Sequence, residues 1–287
     1  MNLQDQEAAG SYSDFIDLEK VIAGKNPRLL KILPGFLIRY LKRIIHQDEL
    51  NHSLREHRDL SGHDFLEAIL RDFGANIVIR GEKNIMETER MVVVSNHPLG
   101  GLDGMALMYA VGKYRPDIVA PVNDFLLHLP NLRPLFIPIN KHGSNASNIQ
   151  AFDKAFSSQK TVLYFPAGLC SRKTGGEILD LEWKKTFLSK ARRFQRDILP
   201  VHISGRNSNF FYNLANIRKW LGIKANIEML YLVDEMFKQK NKDIIITFGK
   251  PVPLEVFDKR HNDRDWAALL RKHTYRLEVE PEAVFVV

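Results

Sequence analysis

Apolar residues follow two different rhythms along the chain. Up to about residue 75 the rhythm is helical. Leu29, Leu30, Ile32 and Leu33 lead into a Pro34-Gly35 break. Phe36, Leu37, Ile38, Leu41, Ile44 and Ile45 follow, interleaved with Arg39, Lys42 and Arg43. A third helix is predicted from about Asp64 to Phe73, closed by Gly74 as its cap. From Asn76 onward, short β-rich runs alternate with helical ones. Strands are predicted over Ile77–Ile79, Met91–Ser95, Ile118–Val122, Leu135–Ile139, Thr161–Phe165, Ile198–Ile203, Ile227–Leu232 and Ile244–Phe248. Helices are predicted over Leu102–Val111, Leu181–Phe194 and Asp263–Leu277. This alternation predicts an α/β domain over residues 76–287, a mixed β-sheet flanked by helices, preceded by an N-terminal helical segment over residues 1–75. In such domains ligands bind at the carboxyl ends of the strands.

Composition refines this picture in three ways. With 287 residues, 45% of them hydrophobic, the chain can bury one sizeable core. A formal net charge of +7 attracts polyanions: nucleic acid, anionic lipid headgroups or an acidic protein. The cations are spread along the chain without aromatic–basic interleaving, so no nucleic-acid partner is expected. The single cysteine, Cys170, excludes an intramolecular disulfide and a zinc site built on several thiolates, and fits a reducing, cytoplasmic location. No basic and apolar leader opens the chain, and no run approaches the roughly 18 apolar residues that span a bilayer. Membrane contact is therefore expected to be peripheral, on the inner face. The segment around Pro34, with Lys25, Arg28 and Lys31 before the break, has two open readings: a helix lying in a headgroup layer, or one packed on the main domain with its charges in water.

The sharpest local pattern is Val92-Val93-Val94-Ser95-Asn96-His97-Pro98-Leu99-Gly100-Gly101-Leu102-Asp103. An apolar strand ends in Asn-His, and a Pro/Gly turn places an aspartate at the start of a helix. A carboxylate accepting from one imidazole nitrogen fixes the tautomer, leaving the other to take a proton from a hydroxyl. Gly100 and Gly101 allow close approach of backbone or substrate. The competing reading is that His97 caps a turn and Asp103 caps the helix. No third ligand at a suggestive spacing points to a metal.

This segment resembles the first motif of the glycerolipid acyltransferases (lysophosphatidate acyltransferase, or PlsC-like), Asn-His, four residues, Asp. Here five residues separate His97 from Asp103, as in the hemolysin-like branch and in acyltransferases that complete ornithine- or glycine-type lipids. Phe136-Ile137-Pro138-Ile139-Asn140-Lys141 resembles the second motif, Phe165-Pro166-Ala167-Gly168-Leu169-Cys170-Ser171-Arg172 the third, and Ile198-Leu199-Pro200-Val201 the fourth. Trp183-Lys184-Lys185 and Phe248-Gly249-Lys250-Pro251-Val252 also sit where the family has similar segments. The resemblance spans roughly residues 76–260.

It implies an O-acyltransferase with His97 as base and Asp103 as its orienting partner. Asn96, Gly100, Gly101, Lys141, Gly168, Ser171 and Arg172 are implied in substrate binding, with Arg172 and Lys141 as anion contacts. Acyl-carrier protein or acyl-CoA is the implied donor, with no metal or redox cofactor. The implied acceptor is a lyso-lipid such as 1-acylglycerol 3-phosphate. In the third motif the family's glutamate, threonine and first arginine are Ala167, Leu169 and Cys170, which favours the alternative of an amino-acid-containing lipid. Cys170 is read as a small packed side chain, and His142 and His202 as structural. A third reading is a non-catalytic lipid-binding protein on the same fold; retention of both His97 and Asp103 argues against it.

Overall fold

A computed structural model describes residues 16–123, 129–139 and 145–286. The chain forms two compact units, Met1–Glu56 and His57–Val287. The division falls ahead of the expected boundary at residue 75, because the helix that ends at Gly74 belongs to the second unit.

The first unit contains α1 (Leu18–Lys25), α2 (Pro27–Ile32), α3 (Gly35–Ile44) and α4 (Gln47–Glu56). Asn26 caps α2 by accepting from the Leu29 amide, and Pro27 occupies the first helical position, where its missing N–H is no loss. Pro34 starts α3, as the Pro-Gly break predicts. Asn51 exchanges two hydrogen bonds of 2.8 Å with the backbone of Ile16, pinning α4 to the start of α1.

The second unit opens with α5 (Gly62–Asp72). Gly74, at φ +67°, ends it. The Ala75 amide reaches back to Leu70 O and the Gly74 amide to Arg71 O, a Schellman closure. The chain then runs through β1 (Asn76–Arg80), β2 (Met91–Ser95), α6 (Gly101–Gly112), β3 (Ile118–Asn123), β4 (Phe136–Ile139), α7 (Asn145–Ser157), β5 (Thr161–Tyr164), β6 (Arg172–Thr174), β7 (Glu177–Leu179), α8 (Thr186–Phe194), β8 (Asp197–Ile203), α9 (Asn209–Trp220), α10 (Leu232–Phe237), β9 (Asp243–Phe248) and α11 (Asp263–Arg276). Among the described residues seven strands make one sheet in the order β1-β9-β8-β2-β5-β3-β4, and β6 and β7 form a separate hairpin. Strand β2 lies between β5 and β8, parallel to both, while β9 runs antiparallel to β8. The α/β expectation of a mixed sheet flanked by helices holds.

Alternation along β2 sends Val92 and Val94 into a layer with Phe156 of α7, Phe187 and Leu188 of α8, and Trp266 and Leu270 of α11. Every residue of β2 is buried, as a central parallel strand requires. Pro200 sits within β8 at no cost to the ladder. Its carbonyl accepts from the Gly249 amide on the β9 side, and its missing donor falls between the Ile198–Val252 bridge and the pairing that starts at Val201–Phe248.

One predicted strand is not a strand. Ile227–Tyr231 is a 3₁₀ turn continuing into α10, because the backbone winds to carry Glu228 into the interior. The helix expected from Leu181 begins only at Thr186.

Candidate active site

The parallel strands β2, β5 and β8 end together, and the segments that follow them build the site. After β2, the Asn96 side chain clips the chain to β8: its Oδ1 accepts from the Ile203 amide at 2.7 Å and its Nδ2 donates to the Ile203 carbonyl at 2.9 Å. Buried and bonded through both amide atoms, Asn96 braces the turn.

His97 follows directly. Its Nδ1 lies 2.8 Å from Asp103 Oδ1. Asp103 is fully buried on the first turn of α6, and its Oδ2 accepts from the amides of Leu99 at 2.6 Å and Gly100 at 3.2 Å. The fifth intervening residue is thus absorbed within a turn wrapped around the carboxylate. Gly100 makes that possible. Its φ is +79°, and a Cβ there would stand 3.1 Å from the Leu232 side chain. Gly101 is exposed at the amino end of α6, with open space where a Cβ would be.

The imidazole stacks on Phe165, just after β5, with centroids 4.3 Å apart. Its backbone is held from the other side. The His97 amide donates to Asp180 Oδ1 at 3.1 Å, and its carbonyl accepts from the Ser171 amide at 2.7 Å. Asp180 also accepts from Ser171 Oγ at 2.7 Å and from Trp183 Nε1 at 2.9 Å. Burial alone would lower the His97 pKa, but the Asp103 charge and hydrogen bond, with the Asp180 charge, outweigh it and raise the imidazole above its usual value.

The other expected substrate contacts divide. Gly168 is exposed in a tight turn at φ +69°. Ser171 is buried and spends its hydroxyl on Asp180. Arg172, expected as an anion contact, is turned inward. It is 4% exposed, its Nη2 lies 3.0 Å from Glu228 Oε1, and its Nη1 donates to the Cys170 carbonyl at 2.7 Å. Arg218 pairs with the same carboxylate at 2.8 Å. One carboxylate thus serves two buried guanidinium groups, and Arg172 is held inside the protein. Lys141 and His142 lie outside the described residues. Cys170 packs with Phe211 and Tyr212, and burial pushes its thiol up to about 11.

A cleft of about 290 Å³ adjoins the turn, lined by Asn96, Pro98, Ser171, His202, Tyr275 and Glu278 among others. The His97 ring is not part of its lining. Asp180, Glu228 and Tyr275 went unnoticed in the sequence. Only Asp180 had a signal there, as the carboxylate three residues before the Trp-Lys-Lys segment.

The sequence profile of the family described as "Acyltransferase" matches residues 20–283. The lyso-glycine lipid O-acyltransferase of Phocaeicola vulgatus is 49% identical over 264 residues, which cover 91% of this chain and 95% of that protein. The enzyme of the same name from Bacteroides thetaiotaomicron is 48% identical, over 91% of this chain and 97% of its own. Among solved structures, the 1-acyl-sn-glycerophosphate acyltransferase PlsC of Thermotoga maritima superposes with a TM-score of 0.44 at 15% identity, covering 85% of this chain and 92% of that one. Profile and relatives together show that this chain is an acyltransferase of the glycerolipid acyltransferase family.

Proposed function

We propose that the chain moves a fatty acyl group from a phosphopantetheine thioester to the hydroxyl of a lyso-aminolipid of the glycine-lipid class. The observation that carries the chemistry is the 2.8 Å contact between His97 Nδ1 and Asp103 Oδ1. With Nδ1–H donating to the carboxylate, Nε2 keeps its lone pair and takes the proton of the acceptor hydroxyl. The hydroxyl oxygen attacks the thioester carbonyl, and the tetrahedral oxyanion collapses with cleavage of the C–S bond. The imidazolium returns the proton to the leaving thiolate. The amides at the amino end of α6, beginning at Gly101, make up the positive pole of the helix and suit the oxyanion. Acyl-carrier protein and acyl-CoA share the donor chemistry.

Two lines favour an acceptor without phosphate. Both curated relatives carry the lyso-glycine lipid name. In the third motif Ala167, Cys170 and Arg172 are buried, and Arg172 is held by Glu228, so the motif presents no exposed cation to a phosphate. The acceptor is a lipid and the site must meet it at a membrane. Exposed Leu29, Ile32, Phe36 and Tyr40, beside exposed Arg28, Lys31, Arg39 and Arg43, support peripheral attachment through the N-terminal unit on the cytoplasmic face. Among the described residues no helix is long and apolar enough to cross a membrane.

The test is acyl transfer by purified protein from labelled acyl-carrier protein and from acyl-CoA, offered separately to lyso-glycine lipid and to 1-acylglycerol 3-phosphate. Product with the glycine lipid, lost in His97→Ala, is expected. Preferential product with the phosphate acceptor would refute the assignment of the acceptor, and turnover surviving in His97→Ala the assignment of the base.

A further inference from the structure

Helix α9 is apolar on two opposite faces. Its inner face is Phe211, Tyr212 and Ala215, all fully buried, with Arg218 turned in to Glu228. Its outer face repeats Phe210, Leu214, Ile217 and Leu221 at i, i+4, i+7 and i+11, the spacing of one helical ridge. That ridge points to water. Phe210 is 49% exposed, Ile217 53% and Leu221 56%; Trp220, on its shoulder, is 84% exposed. Ile223 and Leu230, also exposed, follow in the next turns. Phe210 meets Tyr231 edge-on with centroids 4.9 Å apart, which ties the ridge to the segment carrying Leu230. A cluster of large side chains of this kind on one face marks an interaction surface, since scattered exposure would not repeat with the helix.

Along the helix and the turn after it the charge is of one sign; at the amino end Lys238, over Phe210, is paired with Asp234 and Glu235. Residues 206–227 contain no aspartate or glutamate, and Arg206, Lys219 and Lys224 are exposed. Apolar and aromatic side chains rimmed by cations match the boundary of a bilayer that carries anionic headgroups. Recognition of an acidic carrier protein rests chiefly on charge, and six large hydrophobic groups around an exposed tryptophan exceed what it requires. The helix also sits next to the chemistry: Asn207, two residues ahead of α9, donates through Nδ2 to the Pro98 carbonyl at 3.3 Å, one residue from His97.

We infer that the outer face of α9, with Trp220, Ile223 and Leu230, is a bilayer-docking surface of the catalytic unit, selective for anionic lipid. The inference extends the membrane reading given above and does not depend on the identity of the acceptor or on turnover. Docking there would hold at the lipid phase the same unit that carries His97.

Trp220 is its own reporter. The chain has three tryptophans, and Trp183 and Trp266 are buried at 1% and 0% exposure. The experiment uses the His97→Ala protein and vesicles of phosphatidylcholine, with and without phosphatidylglycerol, free of lyso-lipid and thioester. The expected result is a blue shift of the emission, quenched by brominated acyl chains and stronger with phosphatidylglycerol. Ile217→Glu/Leu221→Glu, with unchanged circular dichroism and melting, should bind about tenfold more weakly. Sedimentation with vesicles without quenching of Trp220 would place docking elsewhere, as on the N-terminal unit, and overturn the inference. So would absence of vesicle binding, or a saturable Trp220 shift with acyl-carrier protein but none with lipid. A failed acyl-transfer assay beside intact quenching would count against the proposed reaction alone.

Discussion

Asp103 holds His97 with one carboxylate oxygen and the turn that carries His97 with the other. Oδ1 meets the imidazole Nδ1 at 2.8 Å, and Oδ2 accepts the Leu99 and Gly100 amides. Asp103→Asn separates the two tasks. Its amide oxygen can still accept from the backbone, but its NH₂ then faces Nδ1 and forces the proton onto Nε2, the wrong tautomer for a base. The expected result is a folded protein whose kcat falls by about 10³- to 10⁴-fold. Retention of a tenth of wild-type turnover would remove the orienting role.

The same pair sets the response of activity to pH. Asp103 and Asp180 raise the His97 pKa above 6.5 against the opposing effect of burial. The imidazole must be neutral to accept a proton, so kcat/KM should climb with pH through a pKa above 6.5 in the free enzyme. A profile flat from pH 6 to 9 would count against His97 as base.

Stability should follow a different course. Burial pushes His202 and His273 down to about 4. Both bind protons more readily in the unfolded chain, so stability is lost as pH falls from about 6.5 toward 4, at roughly 1.4 kcal/mol per pH unit for each group in that window. His97, raised in the folded state, acts in reverse: its contribution is present below pH 6.5 and fades as pH rises through its folded value. Melting temperatures at pH 7 and 5 should therefore differ, and the gap should narrow in His273→Gln. An unchanged gap would show that His273 does not titrate in this way.

The buried Arg172–Glu228–Arg218 cluster predicts a stability phenotype where an anion site predicts a binding one. Arg172→Ala leaves a carboxylate short of one partner, and Glu228→Ala leaves two guanidinium groups facing each other. Glu228→Ala should cost about 3–5 kcal/mol in urea denaturation, and Arg172→Ala, which leaves Glu228 paired with Arg218 alone, less. The KM for the acceptor in the folded fraction should stay close to wild type. A stable Arg172→Ala protein with a raised KM would restore the anion contact.

Cys170 should be silent. With its thiol pushed up to about 11 by burial, it should resist a disulfide reagent at pH 8 until the chain is unfolded, and Cys170→Ala should turn over at a rate within about twofold of wild type. Rapid labelling of the native protein would contradict the packing around Phe211 and Tyr212.

The parts of the site made by neighbours in the chain were legible in the sequence. An all-apolar β2, a Pro/Gly turn and an aspartate on the next helix lie within thirteen residues, so strand, dyad and resemblance could be read together. The fold class was legible for the same reason: buried parallel strands are continuous apolar runs. What was missed depends on distant partners. Arg172 reads as an exposed cation until Glu228 is brought to it by the 3₁₀ turn at Ile227–Tyr231, a segment whose apolar residues mimic a strand. Asp180 looks like any acidic loop residue until the fold sets it beside the His97 amide. Helix α9 escaped notice because both of its faces are apolar and no single amphipathic stripe stands out.

The clip between Asn96 and Ile203 has a consequence for the order of events during synthesis. Its two ends are 107 residues apart in sequence. His97 and Asp103 leave the ribosome together, but the strand that fixes the turn beneath them, and the Ser171 and Asp180 groups that hold its backbone, come much later. A nascent chain that stops short of β8 carries both halves of the dyad without the frame that aims them. The contact between His97 and Asp103 is therefore framed on all sides only once most of the second unit is made.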